Sequence, residues 1–174
     1  MDVEVRPATT SDVPALSALA KRSWFDAFGA SVPPDEADAE LDATRSEAYF
    51  GDALTRHTIL VAEANGALLG YVQFGEVNIH DVEIRPGDRE LQRLYVETAE
   101  QGRGVGRALM EAALRHPRLA EAPRVYLQVW DRNERAVHMY ERSGFRTVGH
   151  TRFTLGSGEV VEDLVMLLDR STAH

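Results

Sequence analysis

Gln101-Gly102-Arg103-Gly104-Val105-Gly106-Arg107 follows an apolar run at residues 94–96 and opens a run of helical composition at residues 107–114. Glycine at every second position lets the backbone approach a ligand closely. The free N–H groups at the start of a helix carry partial positive charge and favour an anion. The stretch therefore predicts a phosphate-binding loop between a strand and a helix. Several ligands carry such phosphates, so the rest of the chain must distinguish among them.

Composition fits one globular domain spanning residues 1–174, because 44% of the residues are hydrophobic and 27% are charged. The absence of cysteine excludes disulfides, thiolate metal sites and a cysteine nucleophile. The six histidines lack the i, i+4 spacing of a helical metal site, so we expect no metal. The sequence contains neither a secretory leader nor an apolar run of roughly 18 residues. We therefore predict a cytoplasmic protein that does not enter a membrane.

The net charge of 19 − 28 = −9 disfavours binding to nucleic acid, which requires clustered lysine and arginine. The charge is uneven along the chain. Residues 35–50 carry six carboxylates against Arg45, whereas residues 101–118 carry four arginines against Glu111. The acidic run is either a solvated helix face or the rim of a site for a cationic acceptor.

Periodicity predicts an α/β fold with a mixed sheet of six to seven strands and about four helices. Asn65-Gly66 is a hairpin turn, and Gly156-Ser157-Gly158 predicts the turn before the last strand. The predicted strands cover residues 3–7, 57–64, 68–74 with a possible extension to 79, 90–96, 125–130, 145–148 and 160–168. The predicted helices cover residues 11–28, 37–49, 105–114 and 133–143.

The strand before the glycine loop does not alternate strictly, since its apolar residues are Leu91, Leu94 and Val96. A regular strand would place Glu90 and Gln92 on the same face as Leu94 and Val96. A bulge within the strand would change that arrangement.

Two common phosphate motifs do not fit the loop. The Walker pattern G-x-x-x-x-G-K-[ST] is absent, and a dinucleotide fold needs G-x-G-x-x-G after its first strand. The chain instead has Gln-x-x-Gly-x-Gly after a buried strand. A further strand follows, and then come Asn133 and Tyr140 on a helix that ends at Gly144-Phe145.

This constellation resembles the GCN5-related N-acetyltransferase (GNAT) superfamily. Gln101, Gly104 and Gly106 meet its signature [Gln/Arg]-x-x-Gly-x-[Gly/Ala], and the string from Asn133 through Tyr140 to Phe145 is similar to its second hallmark. Both motifs occur in order, about thirty residues apart, so the resemblance is more specific than either motif alone. It implies a GNAT-like fold over nearly the whole chain, and a homodimer is common in such proteins.

The resemblance implies acetyl-CoA as co-substrate. Its pyrophosphate would bind the loop amides, and its pantetheine arm would lie between the strands at residues 90–96 and 125–130. Arg103 and Arg107 are candidates for phosphate contact, whereas Gln101 is expected to shape the loop. The residues implied in cofactor binding are Leu94, Val96, Gln101, Gly102, Arg103, Gly104, Val105, Gly106, Arg107 and Asn133.

The resemblance also implies the reacting groups. An amine with a pKa of ~10 is mostly protonated at neutral pH, a handicap of roughly 4 kcal/mol, so transfer needs a proton acceptor. Glu90 matches the position of the family's glutamate base, and Tyr140 matches the tyrosine that donates to the departing thiolate. The backbone amide of Val96 would polarise the thioester carbonyl.

The sequence therefore predicts an N-acetyltransferase that acts on a primary amine, either a cationic small amine such as a polyamine or a protein N-terminus. Trp24, Phe28 and Tyr49 either line the acceptor pocket or belong to the core. Two other functions stay open. A non-catalytic acyl-CoA sensor would need neither Glu90 nor Tyr140, and a nucleotide-binding regulator would prefer ATP to CoA.

Overall fold

The computed structural model describes residues 2–154 and 158–171, so the predicted turn at residues 156–158 lies largely outside the described residues. Seven strands form one mixed sheet in the order β1-β2-β3-β4-β5-β7-β6. Only β4 and β5 are parallel neighbours. This confirms the predicted mixed sheet. The strands are β1 (Glu4–Pro7), β2 (Thr58–Ala64), β3 (Ala67–Gly75), β4 (Arg89–Val96), β5 (Arg124–Trp130), β6 (Arg146–Thr154) and β7 (Val160–Asp169).

Six α-helices occur in the described residues, two more than the sequence predicts. They are α1 (Val13–Phe28), α2 (Pro34–Thr44), α3 (Glu47–Arg56), α4 (Val105–Arg115), α5 (Pro117–Ala120) and α6 (Glu134–Arg142). The predicted helix over residues 37–49 is wrong, because Ser46 accepts a hydrogen bond from the Tyr49 amide and starts a new helix. Pro117 likewise starts the short α5. None of these helices is long and apolar enough to cross a membrane.

The helices cover both faces of the sheet. On one face α4 and α6 pack over a core that includes Leu109, Leu127 and Met166. On the other face α1 and α3 pack over a second core that includes Leu16 and Phe50. We call the first the α4 face and the second the α1 face.

The parallel strands β4 and β5 stay paired over only two residue pairs, Arg89 with Val125 and Glu90 with Tyr126. A buried ion pair holds this end together. Arg124 Nη2 lies 2.6 Å from Asp88 Oδ2, and Arg124 Nε donates to Asp88 Oδ1 over 3.0 Å. Beyond this point the strands separate, and a cleft opens between residues 91–96 and the end of β5.

A bulge interrupts β4 at Gln92, because Leu91 pairs with Phe74 and Arg93 pairs with Gln73. The Gln92 side chain accepts a hydrogen bond from Gln73 Nε2 over 2.9 Å, so the bulged residue is satisfied on the α1 face. Leu94 therefore packs on the α4 face, as Leu91 does. Of the two alternatives, the bulged strand is confirmed: Glu90 and Gln92 lie on the α1 face, whereas Leu94 and Val96 lie on the α4 face. Strand β3 ends at Gly75, close to the predicted end at residue 74 and without the possible extension to residue 79.

Candidate functional site

The glycine loop precedes α4 and has the conformation that glycine permits. Gly102 and Gly104 have φ values of 81° and 86°, and Gly104 is the N-cap of α4. Left-handed backbone turns consecutive amides toward the same side, where they form an anion-binding concavity. Gln101 Nε2 donates to the Val96 carbonyl over 3.3 Å, which ties the loop to the end of β4.

A cavity of about 610 Å³ lies between this loop and α6. Predicted cofactor-binding residues supply much of its lining, namely Leu94, Val96, Gln101, Gly102, Gly104, Gly106, Arg107 and Asn133. Asn133 also caps α6 by accepting a hydrogen bond from the Ala136 amide over 3.3 Å. The cavity thus runs from the loop to the two β4 residues at the mouth of the cleft.

Two predicted cofactor-binding residues do not line the cavity. The Arg103 side chain is 62% exposed and lies 3.5 Å from Glu100. Val105 is fully packed in the core, so only its backbone amide faces the loop end of α4. Arg107 lines the cavity, although its guanidinium pairs with Glu111 over 2.8 Å.

The sequence reasoning missed the contribution of α6, which provides Arg135, Met139, Arg142 and Ser143 to the lining. Helical spacing could have grouped Arg135, Met139 and Arg142, because they recur at i, i+4 and i+7 and so lie on one side of the helix. Arg135 reaches across to the loop, since a Cβ added at Gly102 would stand 2.6 Å from its Nη2. Neither Arg135 nor Arg142 has an ion-pair partner in the part of the chain that the structure describes. Arg135 and Arg142 therefore add two positive charges to a cavity that already faces the positive N-terminal end of α4.

The amides of Leu94 and Val96 point into the cleft. Glu97 donates its amide to the Leu69 carbonyl over 2.8 Å, which continues the antiparallel ladder between β3 and β4. In such a ladder alternate residues bond to the same neighbour. Residues 93, 95 and 97 therefore face β3, whereas the N–H groups of Leu94 and Val96 face β5. Because β5 has separated there, these two donors are available to a ligand.

Tyr140 lies beside the cavity and packs against Phe145, with ring centroids 6.0 Å apart. The residue is only 5% exposed, yet no hydrogen bond to its hydroxyl occurs within the described residues. Burial raises its pKa, and Tyr95 raises it further. The hydroxyl is therefore held protonated and free to donate.

Glu90 lies on the α1 face at the paired end of the cleft. It is 6% exposed and accepts a hydrogen bond from the Asn78 amide over 2.6 Å. Burial raises the pKa of its carboxyl, although the Asn78 bond acts in the opposite direction. The loop at residues 76–88 covers it, held by a hydrogen bond from Arg124 Nη2 to the Glu83 carbonyl over 2.8 Å. The site thus provides a shielded carboxyl with raised proton affinity.

An aromatic row lies on the α1 face near the end of β5. Trp24 and Phe28 have ring centroids 5.8 Å apart, and Phe28 lies 5.9 Å from Trp130. Asp163 pairs with Trp130 across the strands, and burial, with a smaller effect of Asp131, raises its pKa to about 6. These aromatic rings and carboxyls form surroundings suited to an organic cation.

The other aromatic candidate and the acidic helix lie elsewhere. Tyr49 packs beneath the Arg93 guanidinium, 4.5 Å from its ring centroid, and accepts a hydrogen bond from Gln73 over 3.0 Å. The carboxylates of α2 are exposed, and Ala37 is its buried residue. The acidic run is therefore mainly a solvated helix face.

Comparison with known proteins gives consistent matches. The model of the Acetyltransferase (GNAT) family matches residues 15–145. An uncharacterized N-acetyltransferase of Mycobacterium tuberculosis is 34% identical over 151 residues, which cover 84% of this chain and 91% of the relative. A spermine/spermidine N(1)-acetyltransferase of Bacillus subtilis is 29% identical over 100 residues, 57% of this chain and 65% of the relative.

The fold also matches solved structures. The PaiA N-acetyltransferase from Thermoplasma acidophilum, in complex with coenzyme A, aligns with a TM-score of 0.76 at 19% identity. The alignment covers 97% of this chain and 99% of the other. At this identity the likeness concerns the fold, and it confirms the predicted fold class.

Proposed function

Because the chain belongs to the acetyltransferase (GNAT) family, we propose that it transfers the acetyl group of acetyl-CoA directly to a primary amine. It is an acyl-CoA-dependent N-acetyltransferase, with acetyl-CoA as co-substrate. The candidate acceptors are a cationic small amine, such as a polyamine, and a protein N-terminus. We take residues 1–174 as one catalytic domain.

The observation that carries this proposal is the continuity of the cavity with the cleft. At one end are the loop amides with Arg135 and Arg142, which have no ion-pair partner among the described residues, and these groups suit a pyrophosphate. At the other end are Leu94 and Val96, whose amides point between the separated strands. An extended arm bound along this path would bring a thioester into the cleft.

The reaction joins the amine nitrogen to the carbonyl carbon and breaks the carbon–sulfur bond. The Val96 amide, and the Leu94 amide beside it, would stabilise the negative charge that develops on the carbonyl oxygen. Glu90, on the acceptor side of the cleft, would accept the proton of the ammonium, directly or through water. Its burial supports this role, because a raised pKa brings it closer to that of the amine.

Tyr140 would stabilise the departing thiolate. Its hydroxyl lacks a competing partner among the described residues, and its raised pKa makes hydrogen-bond donation more favourable than complete proton transfer. The chain contains no cysteine, which agrees with direct transfer rather than a thioester on the protein.

Two observations bear on the acceptor. The aromatic row that ends at Trp130, with Asp131 and Asp163 beside it, supports an amine that arrives as a cation. The similarity to the Bacillus subtilis spermine/spermidine N(1)-acetyltransferase supports a polyamine, although it covers 57% of this chain. A protein N-terminus presents the same ammonium group.

A thiol-release assay over a panel of amines tests the proposal. The panel contains spermidine, spermine and short peptides with free N-termini, and thermal stabilisation by CoA is measured in parallel. We expect acetyl-CoA-dependent turnover with at least one amine. Tyr140→Phe should lower that turnover about 10- to 100-fold, the worth of a hydrogen bond to a charged group, and change CoA stabilisation little.

Stabilisation by acetyl-CoA without turnover of any amine would instead favour the non-catalytic sensor. Stronger stabilisation by ATP than by CoA would contradict the acetyl-CoA site. Unchanged turnover in Tyr140→Phe would remove this residue from the mechanism.

Glu90→Gln should remove the rising part of the profile of kcat/KM against pH. For the wild-type protein we expect kcat/KM to rise with pH as the Glu90 carboxyl loses its proton, at a pH above the usual glutamate range. The variant should lose that rise and about 10²- to 10⁴-fold in rate at neutral pH. Glu83→Gln is the control, because its side chain is 75% exposed. Identical profiles for wild type and Glu90→Gln would exclude Glu90 as the base.

Gly104→Ala should weaken CoA binding. The added Cβ meets no atom within 4 Å, so the effect is due to backbone strain at a φ of 86°. That strain costs about 1–2 kcal/mol, which corresponds to roughly a 5- to 30-fold rise in Kd if the loop changes conformation to relieve it. The measurement is titration calorimetry with CoA.

Gly51→Ala is the matched control, since this glycine lies in α3 and also has no atom near an added Cβ. It should raise helix stability by up to about 1 kcal/mol and leave the Kd unchanged. Equal CoA affinity in Gly104→Ala and wild type would show that the loop conformation is not needed for binding.

A further inference from the structure

Two arginines meet on the α1 face where α2 ends against β4. Arg93 Nη1 donates to the Thr44 carbonyl over 2.8 Å, and Arg45 Nη1 donates to the Thr44 hydroxyl over 2.5 Å. Each guanidinium also lies over a tyrosine ring, Arg93 at 4.5 Å from the Tyr49 centroid and Arg45 at 5.9 Å from that of Tyr95. The α2–α3 junction thus brings two cations together.

These two charges are poorly compensated. Arg45 is 7% exposed, and its Nη1 lies 3.7 Å from the carboxylate of Glu40, a side chain that is 48% exposed. Arg45 Nε is buried and has no hydrogen-bond partner in residues 2–154 and 158–171. Arg93 has no ion-pair partner within the described residues. Burying a cation or a hydrogen-bond donor costs free energy unless an acceptor or an anion pairs with it.

Tyr71 adds a third donor to the same cluster. It is fully buried beside the Arg93 guanidinium, and its hydroxyl hydrogen has no acceptor in the described part of the chain. Burial raises its pKa to about 12, although the nearby charges of Arg93 and Arg45 act in the opposite direction. The hydroxyl is therefore protonated at neutral pH. The two guanidinium groups and the phenol together carry more hydrogen-bond donors than the described residues around them offer as acceptors.

The cluster lies beside the cleft. Arg93 and Tyr95 flank Leu94, whose amide points between β4 and β5, and their own side chains extend over the α1 face. Tyr95 also raises the pKa of Tyr140, which lies on the other face of the sheet. A group held by Arg93 would therefore lie on the acceptor side of the cleft, next to the strand segment that carries the Leu94 amide.

We propose that Arg93, with the buried Arg45 and Tyr71 behind it, forms an anion subsite that binds a carboxylate of the acceptor. The inference rests on the proposed function and narrows its substrate class. The acceptor is an amine whose own molecule carries a carboxylate, as in an amino acid or an acidic N-terminal residue. Asp163 and the aromatic row remain available to its ammonium group. A simple polyamine would leave the subsite without an anion.

Matched amines test the subsite. The ω-amino acids with about one to five methylene groups are compared with alkylamines and diamines of the same length, because chain length alone affects binding. We expect kcat/KM for the amino acid to exceed that for the alkylamine by about 10- to 100-fold at one or more lengths, as for hydrogen bonds to a charged group. This ratio should fall toward one in Arg45→Gln and in Arg93→Gln.

Arg56→Gln is the control, because Arg56 is an exposed residue of α3 whose guanidinium pairs with Asp52 over 2.6 Å. The ratio should not change in this variant. Preference for alkylamines or diamines at every length would overturn the subsite while leaving acetyl transfer intact. A carboxylate preference that survives both Arg45→Gln and Arg93→Gln would also overturn it.

Failure of the proposed function gives a different result, namely no turnover with any amine. The subsite is then tested by thermal shift of the CoA-bound protein in glutarate, with chloride as the control at equal ionic strength. Stabilisation by glutarate that is lost in Arg93→Gln supports the subsite. No stabilisation of the wild-type protein contradicts it.

Discussion

The separation of β4 from β5 after two residue pairs is the constraint on which the site depends. In a continuous sheet the amides of Leu94 and Val96 would bond to β5, and no ligand could reach them. The ion pair of Asp88 with Arg124 holds the paired end closed, so the opening is confined to the far end. The sheet stays intact on both sides of the gap, because β3 pairs with β4 and β7 pairs with β5. The described strands thus hold open a cleft in which the Leu94 and Val96 amides have no partner on β5.

The same cleft divides the chemistry between the two faces of the sheet. On the α4 face the glycine loop and the arginines of α6 provide positive surroundings for a phosphorylated donor. On the α1 face Asp163 has a raised pKa beside the aromatic row, and Glu90 has a raised pKa at the paired end of the cleft. Arg45 and Arg93 form a separate cationic cluster. The bulge at Gln92 makes this division possible, since it turns Leu94 and Val96 toward the donor while Glu90 stays on the acceptor side. Donor and acceptor would therefore approach the reacting carbon from opposite faces.

The sequence alone predicts those parts of the structure in which the local backbone conformation requires a particular residue. The glycines of residues 102–106 predict a loop that opens a helix, Asn133 begins the other predicted helix, and the structure has both. The sequence alone does not predict those features that depend on contacts between distant parts of the chain. The break between α2 and α3 depends on the Ser46 cap, within a stretch whose apolar spacing also fits one continuous helix. The α6 contribution of Arg135 depends on how that helix crosses the loop, which no local pattern encodes. The cluster of Arg45 with Arg93 joins residues 48 positions apart, so only the folded chain reveals it.

Residue-resolved amide hydrogen exchange of β4, with and without acetyl-CoA, tests the role of the cleft most directly. The Leu94 and Val96 amides face the gap, so their exchange should slow when acetyl-CoA binds. The amides of Arg93 and Tyr95 already bond to β3 and should change little. Protection of the glycine loop alone, with no slowing at Leu94 or Val96, would show that the cofactor binds without entering the cleft and would contradict the account.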